Sequence, residues 1–458
     1  MKSLIQVIAK ITKQNKEGST IRSLLYLLVF YVFALMLSSV AVASPESAFK
    51  QTTKPSSKVS PKLNFEQWKI NFKQEAIADG IDPTLYDQAL RRIKPDPVVI
   101  KLDTSQPEFT RSIWDYIDNA TSDKRLKRGQ RLLKKYQLLF GKIEKEYGVQ
   151  REVIVAIWAM ESDFGRNYGS KNVIRSLATL AHHARSDKRE KFAREELLAA
   201  LHIIQNNKVK VGSLIGSWAG AMGQPQFMPT SYMKYAVDYN GDGQKNIWET
   251  EADVFASIAN FLKESGWREL EDWGVEVNLP KDFDWKLNTS SYELRFVQWR
   301  TMGVTNASGQ SFSQPERQAN LFIPAGRYGP AFLVTHNFQV IKKYNKSLSY
   351  TLAVAQLSRL FAGGESIRIA WPRGDKALSS DQVKEIQTLL NEENHNSGVI
   401  DGKIGSKTRE AIRTWQLEHG FAGDGYATIT LLEILRKRAK AKHSSVEPAE
   451  HTPPLLHE

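Results

Sequence analysis

The sequence predicts a mainly α-helical protein with a small β-rich insertion and a separate C-terminal helical module, an α+β chain overall. Three observations lead to this prediction. Apolar residues recur at helical spacing from Asn64 to Leu262. Short pieces of alternating apolar and polar residues, broken by Pro, Gly and Ser, fill the region from about 273 to 332. A second helical pattern with its own apolar positions follows between about 371 and 438.

Length and composition narrow the class of protein. With 458 residues the chain exceeds one typical core, so two or more domains are expected. The excess of 63 Lys and Arg over 50 Asp and Glu gives a net charge of +13, which favours an anionic partner. Nucleic acid is not expected, because the basic residues are scattered and no nucleic-acid-binding motif occurs. The absence of cysteine excludes disulfides, thiol catalysis and cysteine-bound metals.

The N-terminus predicts export. Five basic residues precede an apolar run from Leu24 to Leu37, and Ala41 and Ala43 form a small-residue cleavage site. Residues 1–43 therefore resemble a secretory signal peptide. The alternative is an uncleaved signal anchor, since a helix from Ile21 to about Val42 could cross a bilayer and attach the protein to the membrane. Residues 44–62 are predicted to be a flexible tether, and residues 440–458 a disordered tail.

A long uncharged helical run carries the candidate catalytic group. It ends on Glu161 and is stopped by Gly165. Trp158, Ile157 and Ile154 lie three, four and seven residues earlier and share its face. A carboxyl that loses hydration against such a face resists ionisation, as a general acid must near neutral pH. The alternative is a helix-end carboxylate that turns to solvent.

The segment from Gly212 to Ser231 is rich in Gly, Gln, Met and aromatic residues and contains no charge. Amide and hydroxyl groups hydrogen-bond neutral sugars, and the rings of Trp218 and Phe227 offer flat apolar faces. This composition is typical of the wall of a sugar-binding cleft. A Gly-rich turn between two helices is the alternative.

The segment from Asp238 to Glu249 fits the pattern of a twelve-residue calcium loop. It supplies oxygen ligands at loop positions 1, 3, 5 and 12 and glycine at position 6. Calcium is the expected ion, as a structural clip, and an Asx-rich turn that binds nothing is the alternative. Asp253 competes with Glu249 to close the loop if the loop is one turn longer. The candidate ligands are Asp238, Asn240, Asp242, Gln244, Glu249 and Asp253.

Several motifs, in the same order, resemble the lytic murein transglycosylase B family, glycoside hydrolase family 103. They are the Glu161–Gly165 element, the stretch from Ser217 to Pro229, the acidic loop at 238, and the pairs at 337–338 and 344–345. The resemblance covers roughly residues 63–362. The last module is similar to the three-helix peptidoglycan-binding domain, through the elements Asp401–Arg409 and Trp415–Gln416.

The resemblance implies a lysozyme-like helical catalytic domain over residues 63–364, with the β-rich insertion inside it, and a peptidoglycan-binding domain over 371–438. It implies cleavage of the β-1,4 bond between N-acetylmuramic acid and N-acetylglucosamine without water. Glu161 would act first as acid and then as base while the muramyl 6-hydroxyl attacks, which leaves a 1,6-anhydro end and needs no cofactor. No second carboxylate is required, and Asp163 faces away from Glu161 on a helix. A hydrolytic muramidase and a non-catalytic wall-binding protein remain the alternatives.

The same resemblance predicts the substrate and the residues that bind it. Peptidoglycan strands are the expected partner, in the periplasm of a Gram-negative bacterium. This chain lacks the lipid-bearing cysteine of the family's membrane-anchored member. The residues that match sugar-binding positions are Ser217, Gln226, Phe227, Tyr344 and Asn345, with Tyr116 as a candidate for the opposite wall.

Overall fold

The structure is a computed structural model that describes residues 63–104, 112–206, 209–288 and 293–444. The predicted signal peptide or anchor and the predicted tether lie outside the described residues, as do residues 445–458 of the predicted tail. Within the described ranges, no helix is both long and apolar enough to cross a membrane.

Helices form most of the described chain before residue 265. In order they are α1 (Phe65–Ala78), α2 (Pro83–Leu90), α3 (Pro97–Thr104), α4 (Ile113–Ala120), α5 (Asp123–Lys135), α6 (Gln137–Tyr147), α7 (Arg151–Ser162), α8 (Val173–His183), α9 (Asp187–Asn206), α10 (Pro229–Tyr235) and α11 (Glu251–Glu264). Helix α7 is central, because each of residues 153–159 is at most 6% exposed. A helix that is apolar all round must be surrounded, and α5, α6 and α11 pack against it.

The helical spacing of apolar residues from about Arg125 to Tyr147 predicts one helix. The segment forms two helices, α5 and α6, so that prediction is wrong. The break falls at Tyr136, which leaves the helical conformation with φ −103° and ψ 20°. Its ring packs edge-on against Phe255 with 5.3 Å between centroids, and its hydroxyl donates to Glu251 Oε1 at 3.1 Å. These contacts with α11 account for the break. They cannot be predicted from the apolar spacing of the segment itself.

The β-rich insertion is a five-stranded antiparallel sheet, which follows a separate two-stranded sheet of β1 (Lys171–Asn172) and β2 (Ile215–Gly216) in the chain. Its strands are β3 (Gly274–Asn278), β4 (Leu294–Arg295), β5 (Thr305–Asn306), β6 (Gln318–Phe322) and β7 (Ala331–Val334). Their order in the sheet is β4-β6-β7-β3-β5. Leu333 of β7 lies opposite Val275 of β3 and Leu321 of β6. One face of the sheet is buried in a separate apolar core that includes Val277 and Trp299. The predicted insertion is thereby confirmed.

One piece of the insertion that alternates like a strand, Tyr292–Trp299, is mostly helical where it is described. After the two residues of β4, the chain turns into helix α12 (Phe296–Thr301). Phe296 and Trp299 lie three residues apart and are both buried, which suits a helical turn better than a strand. Gln298 Oε1 also accepts the backbone N–H of Arg295 at 3.0 Å and so caps the helix.

Helices resume with α13 (His336–Tyr344) and α14 (Leu348–Phe361). The C-terminal module then consists of α15 (Ser380–Glu392), α16 (Ser406–Glu418) and α17 (Ile429–Ser444). It has its own core, centred on fully buried side chains: Ile386, Leu390, Ile412, Trp415, Leu432 and Leu435. Because α17 continues to Ser444, the prediction of a disordered tail from residue 440 was wrong for residues 440–444.

The C-terminal module contacts the β-rich insertion through the turn between α16 and α17. Asn288 Nδ2 donates to the carbonyl of Gly423 at 2.9 Å, and the backbone N–H of Arg327 donates to Asp424 Oδ2 at 3.0 Å. Asn288 is buried in this contact. The module therefore has a core of its own and is also fixed to its neighbour by hydrogen bonds.

Candidate active site

Glu161 lies in the last turn of α7, and the chain turns sharply just after it. Asp163, Phe164 and Gly165 adopt left-handed conformations in succession, with φ of 51°, 59° and 77°. The Asp163 N–H still bonds to the Ala159 carbonyl at 3.1 Å, and Ser162 Oγ accepts the Gly165 N–H at 3.0 Å. Glycine suits this position, because φ is left-handed and a Cβ would lie 2.3 Å from Gln224 Oε1, so that the Gln224 side chain would have to move. The helix thus ends where the sequence placed its glycine stop.

The carboxyl of Glu161 is partly exposed and hydrogen-bonded. Tyr350 on α14 donates its hydroxyl to Glu161 Oε1 at 2.6 Å. Loss of hydration raises the pKa of Glu161 to about 7, although the Tyr350 hydroxyl opposes the shift by favouring the charged form. A carboxyl with this pKa is present in both protonation states near neutral pH. It can therefore donate a proton and later accept one.

The apolar residues predicted beside Glu161 are in the core. Ile154 and Ile157 are fully buried, and Trp158 is 3% exposed. The indole Nε1 of Trp158 donates to Gln224 Oε1 at 2.6 Å, and Gln224 Nε2 donates to the Trp248 carbonyl at 2.8 Å. Gln224 therefore ties the helix that carries Glu161 to the Gly-rich segment. Nothing in the local sequence predicts this role, although Gln224 lies inside the segment that is predicted to line the cleft.

Tyr116, Tyr344 and Tyr350 surround Glu161. Burial, followed by the Glu161 charge, raises the pKa of all three phenols. Tyr344 donates its hydroxyl to the Pro225 carbonyl at 2.6 Å, which fixes its ring beside the Gly-rich segment. Tyr116 and Tyr344 were predicted site residues, and the structure brings both close to Glu161. Tyr350 was missed, because a tyrosine in the first turn of an apolar helix carries no signal of its own.

The Gly-rich segment is rigid rather than a loose turn. Strand β1 (Lys171–Asn172) pairs antiparallel with β2 (Ile215–Gly216) at its start, and single bridges join Gly216 to Met222 and Met222 to Phe227. A Cβ on Gly216 would lie 2.0 Å from the Ala221 carbonyl oxygen. This close approach of backbone to backbone explains why the segment is rich in glycine.

The polar side chains of this segment are partly used within it. Ser217 Oγ accepts the Ala221 N–H at 3.1 Å, so its own proton is left for another partner. Gln226 Nε2 donates to the carbonyls of Tyr168 at 2.9 Å and Gly223 at 2.8 Å. Both amide protons of Gln226 are therefore used, and Oε1 is the atom left to bind a ligand. Both side chains are partly exposed, as residues that bind a ligand must be.

Of the two remaining predicted sugar-binding residues, Phe227 is placed differently from expectation and Asn345 is not. The ring of Phe227 was expected to offer an open face, but it is 2% exposed and packs 5.9 Å from Tyr344 and from Phe261, so that prediction was wrong. Its ring supports Tyr344 instead. Asn345 is exposed and ends α13, and its Oδ1 accepts the Ser347 N–H at 3.0 Å. Its amide nitrogen is the group that can face a ligand.

The predicted metal loop is held together by hydrogen bonds between its own residues, mostly from backbone N–H groups to side-chain oxygens. Asp238 accepts the N–H groups of Gly241 at 2.8 Å, Asp242 at 3.2 Å and Gly243 at 2.8 Å. Asn240 Nδ2 donates to Asp242 Oδ2 at 2.8 Å, and Asp242 Oδ1 accepts the Gln244 N–H at 2.8 Å. The structure therefore brings Asp238, Asn240 and Asp242 together in one exposed loop.

The two candidates for closing the loop differ in position. Glu249 is exposed, whereas Asp253 is fully buried and accepts the N–H groups of Tyr239 and Asn246, both at 2.8 Å. Burial raises the pKa of Asp253, and so does the charge of Asp238, which places the two carboxyls near each other. Across the described ranges, however, no three His, Cys, Asp or Glu side chains are grouped closely enough to hold a metal. The calcium site stays a prediction.

The charges near Glu161 bear on the type of chemistry. Among the described residues, the pKa of Glu161 is shifted by burial and by the Tyr350 hydroxyl, and not by a second carboxylate. Asp163 instead forms an ion pair with Arg166. The site therefore has the form of a single acid surrounded by phenols, which differs from the paired carboxylates of most glycosidases.

Comparison with known families gives matches to both parts of the chain. A sequence model of the transglycosylase SLT domain matches residues 64–359, and one of a peptidoglycan binding domain matches residues 379–435. Membrane-bound lytic murein transglycosylase B of Escherichia coli strain K12 is 34% identical over 221 residues, which are 47% of this chain and 58% of that protein. The chain thus spans little more than half the length of this curated relative.

Solved structures are similar over more of the chain. SltB3 from Pseudomonas aeruginosa, in complex with NAG-anhNAM-pentapeptide, is 46% identical with a TM-score of 0.77; the match covers 81% of this chain and 99% of that one. The Escherichia coli transglycosylase Slt35, in complex with calcium, is 28% identical with a TM-score of 0.55; this match covers 64% of this chain and 92% of that one.

Proposed function

Because this chain belongs to the transglycosylase SLT domain family, we propose that it is a peptidoglycan lytic transglycosylase with Glu161 as its one acid and base. It cleaves the β-1,4 bond between N-acetylmuramic acid and N-acetylglucosamine and leaves 1,6-anhydromuramic ends. The observation that carries the proposal is the Glu161 carboxyl, whose pKa of about 7 suits both roles and which has no carboxylate partner among the described residues.

The steps follow from this geometry. Protonated Glu161 gives its proton to the glycosidic oxygen as the bond to the anomeric carbon breaks, and N-acetylglucosamine leaves with a free 4-hydroxyl. The resulting carboxylate, stabilised by the Tyr350 hydroxyl, takes the proton of the muramyl 6-hydroxyl as that oxygen bonds to the anomeric carbon. The proton returns to Glu161, and no water is consumed. Ser217 and Oε1 of Gln226 would hydrogen-bond the sugar, because each keeps a polar group that the fold does not use.

The decisive experiment compares Glu161→Gln with Asp163→Asn on purified sacculi. Glu161→Gln removes the acid and is expected to lower turnover by at least about 100-fold. Asp163→Asn removes a carboxylate two residues away and is expected to stay within about threefold of the wild type. Unchanged turbidity loss with Glu161→Gln would exclude Glu161 from the mechanism. No turbidity loss with the wild type would favour a non-catalytic wall-binding protein.

Product mass separates the transglycosylase from a muramidase. Anhydro ends are lighter by one water than the reducing ends that hydrolysis leaves. The proposal requires that wild-type digests contain the anhydro ends as the main product. A digest dominated by the heavier reducing ends would assign the protein to hydrolysis instead.

The location follows from the substrate and from the N-terminal pattern. A substrate in the cell wall requires export, and residues 1–43 carry the basic, apolar and small-residue succession of a signal. The protein therefore works in the periplasm of a Gram-negative bacterium, and its C-terminal module holds it on the wall. N-terminal sequencing of the mature protein tests the cleavage after Ala43, and an intact N-terminus would indicate the anchor instead.

Calcium is proposed as a structural ion in the loop that begins at Asp238. Oxygen ligands favour calcium over softer metals, and Asp238, Asn240 and Asp242 supply them within one loop. Gln244 can add its carbonyl oxygen, and Asp253 lies near Asp238, whereas Glu249 is exposed. The ion would lower the repulsion between the carboxylates and stiffen the segment that precedes α11. It takes no part in the cleavage.

A further inference from the structure

Arg128 on α5 is a charged side chain that the fold leaves without a full set of partners. Its guanidinium lies over the ring of Phe164, 5.4 Å from the ring centroid. Its Nε is buried and has no hydrogen-bond partner within the part of the chain that the structure describes. Leaving a buried donor unpaired costs free energy, and more so when the group is charged. Natural proteins tolerate such a cost most often where function requires the group.

The groups near Arg128 do not neutralise it. Arg166 and Arg131 act on Arg128 with the same sign of charge, and Asp163 acts with the opposite sign. Asp163, however, already forms an ion pair with Arg166, whose Nε also donates to the Asp163 carbonyl at 3.4 Å. Among the described residues, Asp163 is the carboxylate that acts on Arg128, and it is therefore shared among these guanidinium groups. The end of α7 consequently carries an excess of positive charge.

This charge lies close to the catalytic carboxyl. Phe164, which supports Arg128, follows Glu161 by three residues, and three residues span at most about 11 Å. Arg166 follows Glu161 by five residues and the Arg128 guanidinium lies over the Phe164 ring, so both guanidinium groups belong to the same end of α7 as Glu161. An extended peptide of about three to five residues spans about 10–17 Å. A peptide attached to the sugar beside Glu161 can thus reach Arg128.

We infer that Arg128 and Arg166 form a subsite that binds a carboxylate of the stem peptide carried by the glycan strand. The inference rests on the proposed function, because it assumes that a muramyl sugar lies at Glu161. Guanidinium groups bind carboxylates through paired N–H donors. A neutral sugar offers no equivalent pair of charged acceptor oxygens. The subsite makes the enzyme prefer strands that carry peptides with free carboxylates over strands that are stripped of peptides.

The experiment compares Arg128→Gln with Lys134→Gln, an exposed residue six positions along the same helix, so that both variants lose one positive charge. The values of kcat and KM are measured on three soluble substrates of equal length. One carries peptides with free carboxylates, one carries the same peptides with the carboxylates converted to amides, and one has been stripped of peptides by an amidase and exposes the lactyl carboxylate. Thermal unfolding of each variant is recorded alongside.

Arg128→Gln is expected to lower kcat/KM on the peptide-carboxylate strands by about tenfold, mainly through KM, and to stay within about twofold of the wild type on the other two substrates. Lys134→Gln is expected to stay within about twofold on all three. Equal losses of Arg128→Gln on all substrates, or no loss on any, would overturn the subsite. A loss confined to stripped strands would assign the site to the lactyl carboxylate and overturn its assignment to the peptide.

The wild type alone provides a second test that does not depend on how the variant folds. Converting the peptide carboxylates to amides is expected to lower wild-type kcat/KM by about tenfold, and an unchanged value would contradict the inference. Inactivity of the wild type on all three substrates would instead refute the proposed function. The two failures are thereby distinguished.

Discussion

The hydroxyl of Tyr350 donates to Oε1 of Glu161 across 2.6 Å, and this contact adjusts the acid that carries the proposed chemistry. Burial alone would push the Glu161 pKa further up, because a charged carboxylate loses hydration at this site. The hydrogen bond opposes that effect. Glu161 therefore reaches a pKa of about 7, where giving up and taking back a proton are nearly balanced.

Replacing Tyr350 with phenylalanine is expected to raise the pKa of Glu161, since the variant loses the donor that stabilises the carboxylate. A hydrogen bond to a charged group is worth about 1.5 kcal/mol, which corresponds to about one pH unit. The protonated acid then persists to higher pH. The alkaline limb of the kcat profile should move up by about one unit between pH 5 and 9.

Tyr344→Phe is the matched control for that shift. Its hydroxyl donates to the Pro225 carbonyl rather than to Glu161, so the variant can change the rate but should leave the midpoint of the alkaline limb in place. A limb that moves down in Tyr350→Phe, or that moves equally in both variants, would show that the Tyr350 hydroxyl does not tune the acid.

The buried acid also makes stability depend on pH. The pKa of Glu161 rises from 4.5 to about 7 on folding, so burial disfavours the charged form. Its stabilising contribution is fully present below pH 4.5, is lost as the pH rises towards 7, and stays lost above that. Glu161→Gln is neutral at every pH. Its free energy of unfolding should match the wild type near pH 4 and exceed it by up to about 3 kcal/mol near pH 8.

Denaturant unfolding at both pH values measures this difference. Glu195→Gln, which removes an exposed carboxylate on α9, provides the comparison and should show little change at either pH. If Glu161→Gln were equally stable relative to the wild type at pH 4 and pH 8, the carboxyl would ionise as freely in the fold as in water. The mechanism would then lose its general acid at neutral pH.

The sequence contained the main outline of the site but not its supports. Glu161 could be chosen because a carboxylate at the end of an uncharged helical run, followed by a glycine stop, is a local pattern. Tyr116 and Tyr344 came from the resemblance to a known family. Tyr350 and Gln224 act through contacts across 189 and 66 residues, and no spacing along the chain records contacts of that range.

The fold shows the same limit. Helical periodicity located α7 correctly, and alternation of apolar and polar residues located the insertion, because each depends on its own apolar pattern. The break at Tyr136 and the helix after β4 depend on which neighbours the side chains meet, so periodicity misassigned both. The prediction for Phe227 was wrong for the same reason, because it also depended on which neighbours the side chain meets. An aromatic ring in a Gly-rich segment can line a cleft or support it, and its burial decides between the two.

Gln224 is expected to be a main support of the site. Gln224→Leu would leave the Trp158 indole N–H and the Trp248 carbonyl unpaired in the interior. Each unpaired group costs about 1–3 kcal/mol, so the free energy of unfolding should fall by about 2–6 kcal/mol in a urea titration. Gln310→Leu, in an exposed loop, provides the control and should remain within about 0.5 kcal/mol of the wild type. If the free energy of unfolding of Gln224→Leu also stayed within about 0.5 kcal/mol of the wild type, water would have replaced both hydrogen bonds.

The proposed calcium loop makes stability depend on the ion. An ion that binds only the folded state at about 100 times its Kd stabilises that state by about 2.7 kcal/mol. Calcium should therefore raise the Tm of protein that has been treated with a chelator by several degrees. The initial cleavage rate at 25 °C should change little, because Glu161 acts without a metal.

Asp238→Asn separates the ion from the loop's own hydrogen bonds. Asparagine keeps one side-chain oxygen that can accept N–H groups of the loop, but it loses the negative charge that calcium requires. The variant should therefore lose most of the calcium-dependent rise in Tm. Asp282→Asn, an exposed residue outside the loop, should keep the full response. Because carboxylate repulsion within the loop is what the ion would relieve, a wild-type Tm that ignores both calcium and chelator would mean that hydrogen bonds alone hold this loop closed.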